Sequence, residues 1–220
     1  VAHHDWHDWH DWHDGYDRPG STYARRLVVV RRRIGEALDA APPGPVTVIS
    51  LCAGQGRDLL GVLPDHPRRA DVTARLVELD PRNTAIARQA VDRAGLTGVD
   101  VVTGDAALCS AYAGAVPSDV VVACGIFGNI VDDDIRHTVA NLPRLCRTGG
   151  TVIWTRHTGG TDVTPTIRGW FADSGFHEVG FDTEDGHPYS VGTHRLAGPT
   201  LPFRPDLRLF EFVGHTRLPR

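Results

Sequence analysis

The chain has no methionine, no pair of cysteines at CxxC spacing, no surplus of positive charge and no apolar run long enough to span a bilayer. The last three absences each remove a class of function. Cys52, Cys109, Cys124 and Cys146 lie far apart, so neither a zinc ribbon nor a disulfide framework is expected, and a reducing cytoplasm is the simple setting. A net charge of −4 with histidine neutral gives no global field to collect phosphate backbones, so nucleic acid is not expected as a partner. The longest aliphatic stretches, LVVV and SDVVVAC, are the size of strands or helices, and no charged-then-apolar leader is present. A membrane is therefore not expected either. Opening on Val1 fits a non-standard start codon or a trimmed chain equally.

What is present is a chain of 220 residues with 41% hydrophobic content, enough to bury one core of ordinary size. It begins with a triplet repeat, HHDWHDWHDWHDGYD, in residues 3–17. The expected division is a repeat-containing tail over residues 1–20 and a single domain over 21–220. Ser21 is a helix N-cap candidate, and Tyr23, Leu27, Val30, Ile34 and Leu38 then recur on one helical face to about Ala41. Arg31, Arg32 and Arg33 fall mostly on the other side and read as a solvated face.

APPGP ends that helix, and strands then alternate with helices. VTVISL is a buried strand, and GQGRDLLGVL a tight turn opening a helix. TARLVEL is a second strand, followed by the helix PRNTAIARQAVDRAG, closed by glycine. VDVVTGD and SDVVVACG are further strands. VDDDIRHTVANLPRLC is a helix whose aspartates 132–134 cap and fill the first turn, which explains them without a bound cation. GGTVIWTRH is a fifth strand, with Trp154 read as core. TPTIRGWFADSG is a helix with Pro165 in its first turn, and Trp170 and Phe171 read as core. FHEVGFDTE, SVGTHRL and RLFEFVG are strand-like, and HPYS, with His187 and Tyr189, reads as a loop beside the site. The pattern implies an α/β fold, a doubly wound, mostly parallel sheet with antiparallel pairing at its C-terminal end. Ligands bind such sheets beyond the carboxyl ends of the strands, near the topological switch point.

The loop after the first strand, SLCAGQGRD, places Gly54 and Gly56 where a ligand can approach the backbone. A dinucleotide fingerprint starting at Gly54 requires glycine at position 59, which is Leu59. Glu78 ends the second strand, 22 residues after Gly56, suited to ribose hydroxyls. Asp105 follows the third strand, where a carboxylate can accept from an exocyclic amine. Together these residues describe a nucleoside pocket without provision for phosphate.

In VISLCAGQGRDLL, LVELDPRNTAIARQA, VVTGDA, SDVVVACGIFGNI and LPRLCRTGGTVIWT, taken in that order, the chain resembles the class I, seven-stranded S-adenosylmethionine-dependent methyltransferases. The resemblance runs from about Val46 to the C-terminus. It implies a Rossmann-like seven-stranded sheet, S-adenosylmethionine as cofactor and methyl transfer to a small-molecule acceptor. Gly54 and Gly56 would line the methionine part, Glu78 the ribose, Asp105 and Ala106 the adenine, and Cys124 and Gly125 the sulfonium side. Cys52, Ala53, Gln55, Leu79 and Gly104, from the same loops, complete the expected cofactor site. Two departures stand out: Cys52 replaces the first glycine of the loop and Ser50 the usual acid, for which Asp58 could substitute across the turn.

For the transfer itself, Asn129, Arg156 and His157 at the tips of the fourth and fifth strands are the candidates: a polar contact, an anion anchor and a general base. Each has a plainer role available, as helix cap, solvated charge or backbone partner. No asparagine–proline–proline–tyrosine element follows the fourth strand, which disfavours amino-group methylation of bases or glutamine. Two other functions compete, a regulatory module that binds the cofactor without turnover and a nicotinamide oxidoreductase weakened by Leu59. Segments before the first strand of this fold often cover the cofactor, so the tail is expected to supply a helical lid. Trp9, Trp12 and Tyr16 would share one face of it, with Tyr16 and Arg26 near the cofactor. Histidines three apart in the repeat can chelate zinc or nickel, but with no fold-fixed partners only adventitious binding is expected.

Overall fold

The computed structural model describes residues 16–18 and 20–213. The HDW repeat, and with it the expected Trp9–Trp12 lid face and any metal binding there, lies outside the described residues. The elements in chain order are α1 (Thr22–Ala40), β1 (Val46–Leu51), β2 (Val72–Glu78), α2 (Pro81–Ala94), β3 (Val99–Thr103), β4 (Ser118–Ala123), α3 (Asp132–Asn141), β5 (Cys146–His157), α4 (Thr164–Asp173), β6 (Phe176–Glu184) and β7 (His187–Leu196). One seven-stranded sheet has the order β3-β2-β1-β4-β5-β7-β6. β1 to β5 run parallel, and β7 inserts antiparallel between β5 and β6. The doubly wound, mostly parallel expectation holds.

The sheet carries a core on each face. One is built around Trp154, Phe127 and Phe171, under α3 and α4, and the other around Ile34, Leu38, Leu59 and Leu76, under α1 and α2. Trp154 and Phe171 are fully buried, as expected of core residues, while Trp170 packs at the edge, half-buried. α1 starts where Ser21 Oγ accepts from the Ala24 amide at 3.1 Å and buries Arg26, Val30, Ile34, Ala37 and Leu38. α2 starts at Asp80, whose carboxylate accepts from the Arg82 amide, and ends at Gly95 in the left-handed conformation.

Several elements differ from expectation. GQGRDLLGVL forms no helix but a run of turns and a single 3-10 turn, Leu63–Asp65. The Arg57 carbonyl, which a continuing helix would offer to the Gly61 amide, accepts two bonds from the Arg31 guanidinium instead, at 2.9 and 2.7 Å. That guanidinium covers Gly61 so closely that a Cβ there would lie 2.3 Å from it. Arg31 is thus half-buried, and Arg33 pairs with Asp182 at 2.7 Å, so only Arg32 keeps an exposed position. α3 is capped by Val131 without a side-chain bond, and Asp134 accepts from the Glu211 amide rather than from its own helix. Cys146 belongs to β5, not to that helix. HPYS is the start of β7, where Tyr189 is buried, and not a loop. Residues 208–213 of RLFEFVG, the described part, join no sheet. A single bridge between Leu108 and Arg208 begins a strap that hydrogen-bonds Ala107, Cys109, Thr138 and Asn129 in turn. No described helix is long and apolar enough to cross a membrane.

Candidate functional site

β1 and β4 are sheet neighbours from which the chain leaves toward opposite flanks, β1 to β2 and β4 to β5. Their carboxyl ends therefore part and open a crevice. A cleft of about 500 Å³, counted to its open mouth, lies there. Its floor is Cys52, Ala53, Gly54, Gln55 and Asp58 from the loop after β1, with Cys124 and Gly125 after β4. Its roof is Tyr16 and the first turns of α1, chiefly Arg26, Leu27 and Val30. Nine of the expected cofactor residues therefore line one space.

Cys52 has φ +50°, beside Gly54 at +55° and Gly56 at +70°. The loop keeps its left-handed turn although the first position carries a side chain. Gly56 faces away from the cleft: a Cβ there would meet Leu60 and Leu76 at 2.7 and 2.9 Å, so its task is packing. The Cys52 and Cys124 thiols are both pushed up by burial, with Glu78 and Asp58 respectively adding to the effect, so neither is a thiolate nucleophile near neutrality.

Glu78 bridges the cleft to the neighbouring strand tip. One carboxylate oxygen accepts from the Gly54 amide at 2.8 Å and the other from the Asp80 amide at 2.9 Å. Burial raises its pKa against those two bonds. Leu79 beside it is exposed, at 48%. Gly104 and Ala106 stand at the next tip, outside the cleft lining. Asp105 is there too, but both its oxygens are engaged, one by the Ala107 amide and one by Arg208 of the strap at 2.9 Å. The sequence carried no signal that a residue so far along the chain would reach this carboxylate.

The roof is tied to the floor by charge. Arg26 is buried and donates to the Tyr16 hydroxyl at 2.8 Å. Burial raises the Tyr16 pKa, with Arg26 opposing. Arg57 donates to both oxygens of Asp17 at 2.6 and 3.1 Å and to Gln55 at 2.9 Å, with its guanidinium 5.8 Å from the Tyr16 ring centre. Arg57 and Asp17 are functional candidates that reading the sequence missed, since nothing local pairs residues 40 apart. Asp58 is held above its ordinary pKa by burial, opposed by the Leu59 amide and by Arg31 and Arg26.

Asn129, Arg156 and His157 sit where the strand tips put them. Asn129 donates to the Gly125 carbonyl at 2.7 Å and caps no helix. Arg156 is half-buried rather than solvated and donates to the Phe127 carbonyl, while its Nε is buried without a partner. His157 is exposed, and its Nδ1 accepts from the Gly159 amide at 3.1 Å. That bond assigns the neutral ring's proton to Nε2. Burial, then Arg26 and Arg156, lower its pKa, so it is neutral at physiological pH. Among the described residues no group of three or more His, Cys, Asp or Glu could hold a metal.

No protein-family model matches the chain, and no curated protein matches it in sequence. Solved structures match it in fold. An O-methyltransferase family protein from Burkholderia thailandensis aligns with a TM-score of 0.63 at 20% identity, over 80% of this chain and 56% of that one. The CurJ carbon methyltransferase aligns at 0.64 and 14% identity, over 83% and 57%. Magnesium protoporphyrin IX methyltransferase from Synechocystis PCC 6803, solved with bound SAM, aligns at 0.63 and 12% identity, over 86% and 90%. The chain thus spans somewhat over half the length of the first two. At these identities the likeness is one of fold, and that fold is the class I methyltransferase fold.

Proposed function

We propose that this chain is an S-adenosylmethionine-dependent methyltransferase acting on a small-molecule acceptor by in-line displacement. The observation that carries the reading is the cleft at the β1–β4 switch point, which joins a left-handed glycine loop and a buried arginine, with Glu78 holding the Gly54 amide from beside it.

The residues fit that cofactor part by part. Arg26, a buried cation in the roof, suits a methionyl carboxylate. Asp58, raised by burial, would recover its charge beside an ammonium. Each Glu78 oxygen spends one lone pair on an amide and keeps another for a ribose hydroxyl. Exposed Leu79 offers an apolar face for a base, and Gly104, Asp105 and Ala106 its edge. A nicotinamide dinucleotide fits worse. Leu59, fully buried, occupies the third glycine's place, and no helix follows the loop to present its N-terminus to a pyrophosphate.

S-adenosylmethionine supplies an electrophilic methyl group and a neutral thioether as leaving group. The chain's part is then to align the acceptor, exclude water and manage a proton. Tyr16 and the α1 turns close the cleft, with Arg57 as the tie. His157 presents Nε2–H to an acceptor oxygen, and takes up a proton there only in the other tautomer, which the Gly159 amide opposes. The cytoplasm remains our proposed setting, and one domain over residues 21–220 our proposed organisation.

A second reading, a module that binds the cofactor without turnover, is favoured by one observation. Asn129, Arg156 and His157 each already serve a backbone group. Titration calorimetry with S-adenosylmethionine, S-adenosylhomocysteine and NAD tests the cofactor, and binding of NAD alone would overturn both readings. Release of S-adenosylhomocysteine over a panel of small acceptors then separates enzyme from module.

A further inference from the structure

A second hollow opens at the other end of the sheet, among the starts of β4 and β5, the end of β7 and the last turn of α1. It encloses about 330 Å³, counted to its mouth. Small residues keep it open: Ala37, Ala40 and Ala41 on the helix side, Gly149 and Gly150 on the strand side. Gly150 is confined to glycine, because a Cβ there would lie 2.8 Å from Cys146 Sγ and 2.9 Å from the Arg147 carbonyl oxygen.

Two arginines reach this space, and they differ. Arg147 is neutralised by buried Asp119 at 3.1 Å, and the other Asp119 oxygen accepts from the Thr47 amide. The Arg195 side chain makes neither a hydrogen bond nor an ion pair among the described residues, and its Nε is buried without a partner. Arg195 is therefore the lining cation with no carboxylate partner, and its guanidinium is the group a polar occupant would meet. The C-terminal carbonyls of α1 oppose an anion in part: Arg68 takes up that of Leu38, and those of Ala41, Pro42 and Gly44 just beyond the helix, at 2.7 to 3.0 Å. Among the residues lining the hollow, Arg147 and Arg195 stand against Asp119, a surplus of one positive charge.

We propose that this hollow binds a small oxyanion of phosphate size, anchored by the Arg195 guanidinium and bounded by Arg147 and the alanine–glycine walls. The site lies at the amino ends of the strands, away from the cleft at their carboxyl ends, and does not depend on the methyltransferase reading. A free ion and the phosphate of a phosphomonoester present the same group, and the width of the mouth decides between them.

Thermal unfolding is followed against inorganic phosphate and glycerol 3-phosphate, with ionic strength held constant by chloride. The wild-type protein is expected to gain stability saturably with phosphate at millimolar concentrations. Glycerol 3-phosphate acts equally if the source is an ester and not at all if it is the free ion. Arg195→Gln removes the anchor and Ala40→Leu fills the space. Each is expected to weaken phosphate at least tenfold while leaving S-adenosylhomocysteine affinity unchanged. No saturable response in the wild type, or a response retained in either variant, overturns the proposal.

Discussion

Cys52 shows how far a loop can depart from glycine and keep its shape. Its φ of +50° lies in a region that costs a side-chain-bearing residue about 1–2 kcal/mol. The neighbouring amides are fixed by partners outside the turn, Gly54 by Glu78 and Ala53 by the Val77 carbonyl, so the loop holds the residue there. Comparing Cys52→Gly with Cys52→Ala isolates the backbone, since both lose the thiol. The glycine variant should be the more stable by about 1 kcal/mol in urea unfolding, the reverse of the usual order. Equal stabilities would show that Cys52 is unstrained. His194 answers a different question. It accepts from the Trp154 indole at 3.1 Å inside the aromatic core, and its own Nε2 is buried without a hydrogen bond. Burial lowers its pKa to about 4, below the ordinary histidine value, with Glu178 opposing. A folded value below the unfolded one means the contribution is whole above about pH 6.5 and is lost as pH falls through 4. The loss should approach about 3 kcal/mol. His194→Gln keeps an acceptor for the indole without a titrating ring, so its stability should fall less over the same range. Parallel pH profiles for the two proteins would rule the histidine out.

At the scale of elements, the segment over the cleft behaves as a roof in which Arg57 is a main tie. Arg57 grips Asp17 with two nitrogens, Gln55 with a third, and lends its carbonyl to Arg31 of α1. Arg57→Gln should raise the dissociation rate of S-adenosylhomocysteine about tenfold, for the loss of roughly 1.4 kcal/mol of charge-assisted bonding. Stopped-flow release at rising salt checks this, because the exposed wild-type pair should weaken toward the variant as it is screened. A rate indifferent to both would mean the roof opens elsewhere. The elements that hold this geometry were legible wherever periodicity and capping agree. Ser21, Asp80 and Gly95 mark real ends, and β1 to β5 lie where their aliphatic runs place them. The strand tips, and with them Gly54, Glu78, Asp105 and Gly125, followed from the same pattern. What could not be read was decided at a distance. The helix missing after Gly56 loses its carbonyl to Arg31, and RLFEFVG has the alternation of a strand, but its described residues 208–213 bond loops and α3. Arg208 reaches Asp105 across a separation of 103 residues. Nothing in a local window encodes such partners.

For the whole molecule, one sheet separates two opposite tasks. The carboxyl ends of β1 and β4 carry the cleft, while the amino ends of β4 and β5 carry the hollow with Arg195. β4 contributes to both, Cys124 beyond one end and Asp119 near the other, with four fully buried residues between them. Such a strand is closely packed on both faces, with no room to shift between its ends. The two sites should therefore stabilise the fold independently. S-adenosylhomocysteine at a hundred times its dissociation constant adds about 2.7 kcal/mol, which for a chain of this length raises Tm by roughly 5–10 °C. Saturating phosphate should add its own increment, and the two together should equal their sum to within about 0.5 kcal/mol. A shortfall or excess beyond that margin would mean β4 transmits between its ends, and by linkage phosphate would then change cofactor affinity by the same factor. Calorimetric titration of S-adenosylhomocysteine with and without phosphate reads that factor directly, and independence requires it to be one.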